Sequence, residues 1–228
     1  MSRWLVTALS ALVLAACATT PAETPSTQPS GPAPGGGPQT QPLAYPVSDD
    51  FTPQTFLNVC PGMIATNVPA RDANGKLVDY SPFIRVDGVV VAVAPVNGAC
   101  LSSGFGVRGT SLHKGIDLFS RESIPIHAGG NGKVIESGYR DDYGNYVVID
   151  HGGGVFTRYA HLASRERAAG KGKDIAFGTL LGLMGNTASY PIPIHLHYEV
   201  LTGDYDTPKK SFGLDAVDPF AAVWVPVE

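Results

Sequence analysis

The sequence predicts a mainly β protein: antiparallel sheets with long loops and few short helices. Three observations carry this expectation. First, 27 Gly and 19 Pro in 228 residues make up about a fifth of the chain, against roughly 12% in average proteins. That composition excludes a coiled coil or helical bundle. Second, β-branched and aromatic residues come in short runs bounded by Gly, Asn and Asp, the pattern of strands and turns. Third, helix signals are few: Leu162–Ala169 could form a short helical turn, and Asp218-Pro219 reads as an N-cap with Pro at the first helical position. The charge balance, 16 Lys+Arg against 20 Asp+Glu, argues against a nucleic-acid binder that relies on a basic surface.

Residues 1–16 read as an export signal. Arg3 supplies the positive start, and Trp4–Ala16 is apolar and uncharged. This stretch is shorter than the roughly 20 residues a bilayer span needs. It ends in Leu14-Ala15-Ala16-Cys17, which resembles a bacterial lipobox. That resemblance implies that Cys17 becomes the first mature residue and carries lipid. With Ala18 following, it also implies the periplasmic face of the outer membrane in a Gram-negative envelope.

Residues 17–46 follow as a lipidated Cys and a disordered tether. Positions 18–46 hold 8 of the 19 prolines and a single charge, Glu23. Such a segment buries too little apolar surface to fold, and fully extended it reaches at most roughly 90 Å. Residues 47–100 are read as an N-terminal extension packed on the following domain, with polar, turn-rich stretches at Asp50–Asn58 and Arg71–Asp79. With Cys17 assigned to lipid, Cys60 and Cys100 remain. An even pair in an exported protein points to a disulfide, which would pin the extension to the domain at 101–228.

The strand candidates are Val89–Val93, Lys133–Glu136, Tyr146–Asp150, Val155–Ala160, Thr179–Leu183 and His195–Leu201. In the last, side-chain alternation places His195, His197 and Glu199 on one face and Leu196, Tyr198 and Val200 on the other. Two adjacent imidazoles on a polar strand face suggest a ligand. The same rule places Thr157, Tyr159 and His161 on one face. His113 and Asp117, with Gly115 between them, can converge on one metal ion if the backbone turns.

A catalytic zinc site uses three N/O protein ligands and keeps a fourth position open. His113, Asp117 and either His195 or His197 would supply three, and the other histidine of the pair, with His161, would serve as base and transition-state donor. One Asp and two neutral imidazoles leave a Zn2+ site with net positive charge, so it remains a good Lewis acid. No His-Glu-x-x-His occurs, which rules out the common helix-borne protease site. His127 falls in a strand-like stretch, and His151, before a Gly-rich turn, reads as a structural hydrogen-bonder.

Several motifs occur in order: Gly104-Phe105-Gly106-Val107-Arg108, His113-x-x-x-Asp117, Pro125-Ile126-His127-Ala128, Gly132-Lys133-Val134, Tyr143 to Gly152, Tyr159-Ala160-His161-Leu162 and His195-Leu196-His197-Tyr198-Glu199. Together they resemble a LytM/lysostaphin-type zinc metallopeptidase domain, over about Leu101 to Pro219. The resemblance implies an antiparallel β core with a narrow groove. It implies His113, Asp117 and His197 as ligands of a Zn2+ cofactor and His161 and His195 as the catalytic pair. The implied substrate is a peptide of bacterial peptidoglycan, cut in its stems or cross-links for cell-wall remodelling.

The alternative is a non-catalytic regulator that activates a cell-wall amidase, and an amidase or divisome protein is a candidate partner. Degenerate relatives of that kind lack one or more of the five residues, all of which are present here. One segment departs from the family. Gly185-Asn186-Thr187-Ala188-Ser189-Tyr190-Pro191-Ile192-Pro193-Ile194 replaces the usual Gly-x-Thr-Gly-x-Ser-Thr-Gly-Pro, so the substrate contacts of this loop do not carry over.

Overall fold

Turns, many at glycine, divide the described residues into sixteen short strands. The computed structural model describes residues 45–206 and 208–227. The expected signal peptide 1–16, Cys17 and the tether as far as residue 44 lie outside the described residues.

In chain order the strands are β1 (Phe83–Val86), β2 (Val89–Ala92), β3 (Cys100–Ser103), β4 (Gly106–Arg108), β5 (Ser111–His113), β6 (Ile116–Phe119), β7 (Pro125–His127) and β8 (Gly132–Arg140). They continue with β9 (Gly144–Asp150), β10 (Val155–Ala160), β11 (Leu162–Arg165), β12 (Asp174–Ile175), β13 (Leu180–Met184), β14 (His195–Thr202), β15 (Asp215–Val217) and β16 (Val223–Val225). Two 3-10 turns, Arg167–Ala169 and Lys210–Gly213, are the helical pieces among the described residues.

The largest sheet has the antiparallel order β12-β8-β9-β10-β14-β6-β3. β15 pairs with the far half of β14, beyond the stretch that β6 occupies. Strands β11-β13-β7 and β16-β1-β2 form two smaller sheets, and β4-β5 is a hairpin.

The register of the large sheet sets the positions of the chemistry-bearing side chains. His197 lies opposite Asp117 on β6 and opposite Ala160 on β10. Arg158 faces Glu199 across the same strand pair, and Tyr159 faces Tyr198. Leu196, Tyr198 and Val200 are fully buried in the main core, as their alternation with the histidines requires.

One core crosses the boundary drawn between extension and domain. Leu57, Val59, Leu77, Ile84 and Val91 pack in the same cluster as Leu101, Ile116, Leu118 and Tyr198. β16, at the end of the chain, pairs with β1 of the extension. Packing is already present at Tyr45, whose ring stacks 5.2 Å from Phe83, although the sequence places Tyr45 in the tether. Cys60 and Cys100 are disulfide-bonded, joining the extension to the first residue of β3.

Three expectations change. Thr157, Tyr159 and His161 do not share a face. Tyr159 is buried beside Tyr198, with ring centroids 5.2 Å apart, whereas His161 lies beyond the end of β10 with φ +63°. That left-handed residue breaks the strand alternation and turns the imidazole to the other side. The first half of Leu162–Ala169 is strand, because Leu162–Arg165 pairs with β13, and the helical turn is confined to a 3-10 turn over its last three residues. No helix follows Asp218-Pro219. Asp218 Oδ1 accepts from the Phe220 N–H in a tight turn, and the chain extends again at Val223.

Candidate metal centre

Three strands bring three donor atoms to one point. His113 ends β5, Asp117 lies in β6 and His197 in β14. Between the first two the chain passes close over β14: a Cβ on Gly115 would sit 2.2 Å from the Tyr198 carbonyl oxygen. Only glycine permits that approach. It lets His113 and Asp117 point at the same spot.

His113 Nε2 lies 3.0 Å from Asp117 Oδ1 and 3.1 Å from His197 Nδ1, and the last two atoms are 2.9 Å apart. Three ligands of a tetrahedral zinc at its usual bond lengths stand roughly 3.3 Å from one another. The mutual distances therefore match one small cation, and these three residues form a group able to hold a metal ion.

The second nitrogen of each ring supports the same arrangement. The Gly104 carbonyl, which can only accept, lies 2.7 Å from His113 Nδ1. Glu199 Oε1 accepts at 2.9 Å from His197 Nε2. With a cation at the cluster, each outer nitrogen would hold the ring proton and leave a lone pair turned inward. Arg108 Nη2 also lies 2.7 Å from His113 Nδ1, but it has its own acceptor in Asp117 Oδ2 at 2.7 Å. The Asp117 oxygen facing away from the cluster is neutralised in this way.

Behind His197 is a buried ion pair. Glu199 accepts from Arg158 Nη1 at 2.5 Å and from the Tyr143 hydroxyl at 2.8 Å, and neither Arg158 nor Glu199 is measurably exposed as a side chain beyond 2%. Burial opposes the charge on Glu199, yet the His197 hydrogen bond and the nearby cations hold its pKa below the ordinary value. Burial likewise opposes Asp117, and hydrogen bonds from His113 and His197 outweigh it and hold the carboxyl well below the carboxylate range. For His197 burial disfavours a charge, but its bonds to Asp117 and Glu199 prevail and raise it to about 9. A cation at the cluster would take the place of that proton.

His161 and His195 stand beside the cluster. Their ring centroids are 4.7 Å apart, and His161 lies 6.0 Å from the His197 ring. His161 Nδ1 bonds the Thr187 carbonyl at 2.8 Å, and His195 Nδ1 bonds the Pro193 carbonyl at 2.8 Å. Each ring is thereby held with an unprotonated Nε2. Burial is the main cause that lowers His161 to about 4 and lowers His195, so both rings are neutral near pH 7. The loop over His161 depends on Gly144 (φ +58°), where a Cβ would meet the Thr187 carbonyl oxygen at 1.8 Å.

All five residues line one groove of about 580 Å³. Leu112 flanks it, as do Tyr190, Ile192 and Pro193 from the divergent 185–194 loop. None of the described residues before Arg108 lines it. The remaining candidates lie elsewhere. His127 stacks on Phe51 at 4.4 Å, and His151 bonds the Asn131 carbonyl and Thr157 Oγ1. Asn145 braces Leu162 and Thr187. The Arg158–Glu199 pair was not singled out from the sequence. Its only signal there is a charge at each of two buried strand positions.

The chain matches the sequence pattern of Peptidase family M23 over residues 111–209. It is 37% identical over 137 residues to the peptidoglycan DD-endopeptidase ShyC of Vibrio cholerae, covering 57% of this chain and 29% of that protein. It is 35% identical over 134 residues to the DD-carboxypeptidase/endopeptidase Mpg of Neisseria meningitidis serogroup B, covering 56% and 29%. The cell division protein DipM of Caulobacter vibrioides is 31% identical over 108 residues, covering 46% and 17%. The chain thus spans under a third of the length of these curated relatives.

Proposed function

We propose that this chain is a zinc-dependent endopeptidase hydrolysing peptide bonds in peptidoglycan stems or cross-links. The observation that carries the reading is the convergence of three inward donor atoms, all within 3.1 Å of one another, beside two neutral imidazoles. The relatives named as peptidoglycan endopeptidases support the substrate class.

His113 Nε2, Asp117 Oδ1 and His197 Nδ1 would hold the ion. When bound, zinc supplies Lewis acidity to the scissile carbonyl and to the attacking water. The groove orients the peptide between Leu112 and the Tyr190–Pro193 segment. One Nε2 of the His161/His195 pair takes a proton from the water as its oxygen bonds the carbonyl carbon. That proton passes to the amide nitrogen as the C–N bond breaks, and the other imidazole steadies the charge developing on the carbonyl oxygen.

The regulator reading expects loss of one or more of these five residues; all five are present and line the groove. We also propose that Cys17 carries lipid and anchors the chain to the periplasmic face of the outer membrane. Leu14-Ala15-Ala16-Cys17 supports this. Replacing Cys17 with Ser is expected to shift the protein from the membrane to the soluble fraction, and a Cys17→Ser protein still in the membrane fraction contradicts the anchor.

The deciding experiment is digestion of purified peptidoglycan by wild type and by His113→Ala, with products identified by mass spectrometry. Wild type is expected to release peptides with one newly cut bond, and the variant none. Equal product from both preparations excludes the metal-centred reading.

A further inference from the structure

The groove is lined by a cation that lies over an aromatic ring and has Nη groups without an acceptor among the described residues. Arg140, the last residue of β8, lines the groove with its side chain 46% exposed. Its guanidinium carbon lies 4.0 Å from the centre of the Phe212 ring, close enough for stacking. The same ring lies 4.4 Å from the buried Arg158 guanidinium, so Phe212 is itself held against the ion pair behind the metal cluster. Asp142 Oδ1 lies 2.7 Å from Arg140 Nε as an ion pair. Among the described residues no acceptor bonds its Nη groups. A guanidinium stacked against an aromatic ring and paired with one carboxylate keeps its Nη N–H donors for a second, incoming carboxylate. Lys114 lines the same groove and adds positive potential.

We propose that Arg140 and Phe212 form a subsite for a free carboxylate on the peptide substrate, so that Arg140 determines specificity; its substrate, though not its chemistry, rests on the endopeptidase reading. The distance to the reaction is set by Tyr143, whose ring lies 6.0 Å from the Arg140 guanidinium and 5.7 Å from the His197 ring. An extended peptide advances about 3.3 Å per residue. The recognised carboxylate therefore belongs to a residue within about three or four positions of the cleaved bond. An amide at that position cannot accept two parallel N–H bonds and offers no charge.

The test compares a cross-linked peptide purified from peptidoglycan with the same peptide after its carboxylates are converted to amides. Wild type is expected to prefer the free-carboxylate peptide by about 10- to 100-fold in kcat/KM, mostly through KM, the range of a charge-assisted bond. Arg140→Gln is expected to bring that ratio close to one. Arg140→Lys, which keeps the charge and loses the fork, should fall between. Arg165→Gln, outside the groove, should keep the wild-type ratio. Calorimetric binding of both peptides to the His161→Gln variant measures the preference without turnover. If neither peptide is cut, the endopeptidase reading fails and the binding ratio alone decides the subsite. Equal treatment of the two peptides by wild type, in rate or in binding, overturns the subsite; so does Arg140→Gln that retains the preference.

Discussion

Asp117 and His197 face each other across the β6–β14 register, and their donor atoms Oδ1 and Nδ1 are 2.9 Å apart. A backbone pairing thus fixes two of the three proposed cation ligands before any ligand arrives. The third, His113, comes from a hairpin end that swings over β14 at Gly115. Preorganisation of this kind places the site on strands rather than on mobile loops.

His161 contributes no ligand atom to the cluster, so its replacement separates metal binding from turnover. His161→Gln is expected to keep the full metal content and to lower kcat by about 10²- to 10⁴-fold, the usual contribution of a positioned acid–base. Metal analysis and peptide-release rates on the same preparation check this.

Glu199 acts through His197. Glu199→Gln removes the carboxylate that orients the ring and leaves Arg158 as an unpaired buried cation. Metal affinity is expected to fall about 10- to 100-fold, and stability by about 3–5 kcal/mol. Competitive chelator titration reads the first and urea unfolding the second. A variant with unchanged affinity would show that His197 needs no partner for orientation.

Much of this arrangement is legible in the sequence, for reasons that can be named. The period of two along His195–Glu199 is local, so alternation alone separates the site face from the core face. The Cys60–Cys100 disulfide follows from the expectation of export to an oxidising compartment. The position of His161 is not legible, because a left-handed non-glycine residue interrupts the alternation that locates Thr157 and Tyr159. Nor is the Arg158–Glu199 pair, since partners 41 residues apart meet only through strand register. The β1–β16 pairing joins positions at the two ends of the described chain, and no local pattern encodes it. Asp218-Pro219 shows the reverse case: its helix-start signal is satisfied by a single tight turn.

His151 makes stability depend on pH. Burial is the main cause that lowers its pKa below the ordinary imidazole value. As pH falls below about 6.5, the unfolded chain binds a proton that the folded chain resists. Stability from this group is therefore present above that pH and lost as pH falls toward the folded value. His151→Gln should unfold with a shallower pH slope below about 6.5 than wild type. Urea unfolding at stepped pH measures the difference, and identical slopes would show that His151 contributes nothing.

The disulfide should matter for stability and not for the site. Cys60 and Cys100 are 40 residues apart in sequence, and closing a loop of that size stabilises by about 2–4 kcal/mol. No described residue before Arg108 lines the groove. The Cys60→Ser, Cys100→Ser double variant is therefore expected to lose that stability in urea and to keep metal content and kcat below its melting temperature.

The most direct test of the account is the zinc content of the purified protein, measured by inductively coupled plasma mass spectrometry beside Asp117→Ala. The account expects about one zinc per chain in wild type, the number one closed set of three ligands can hold, and essentially none in the variant. A wild type that binds no zinc when supplied with it, or an Asp117→Ala protein that binds as much, contradicts the metal centre on which the proposed hydrolysis rests.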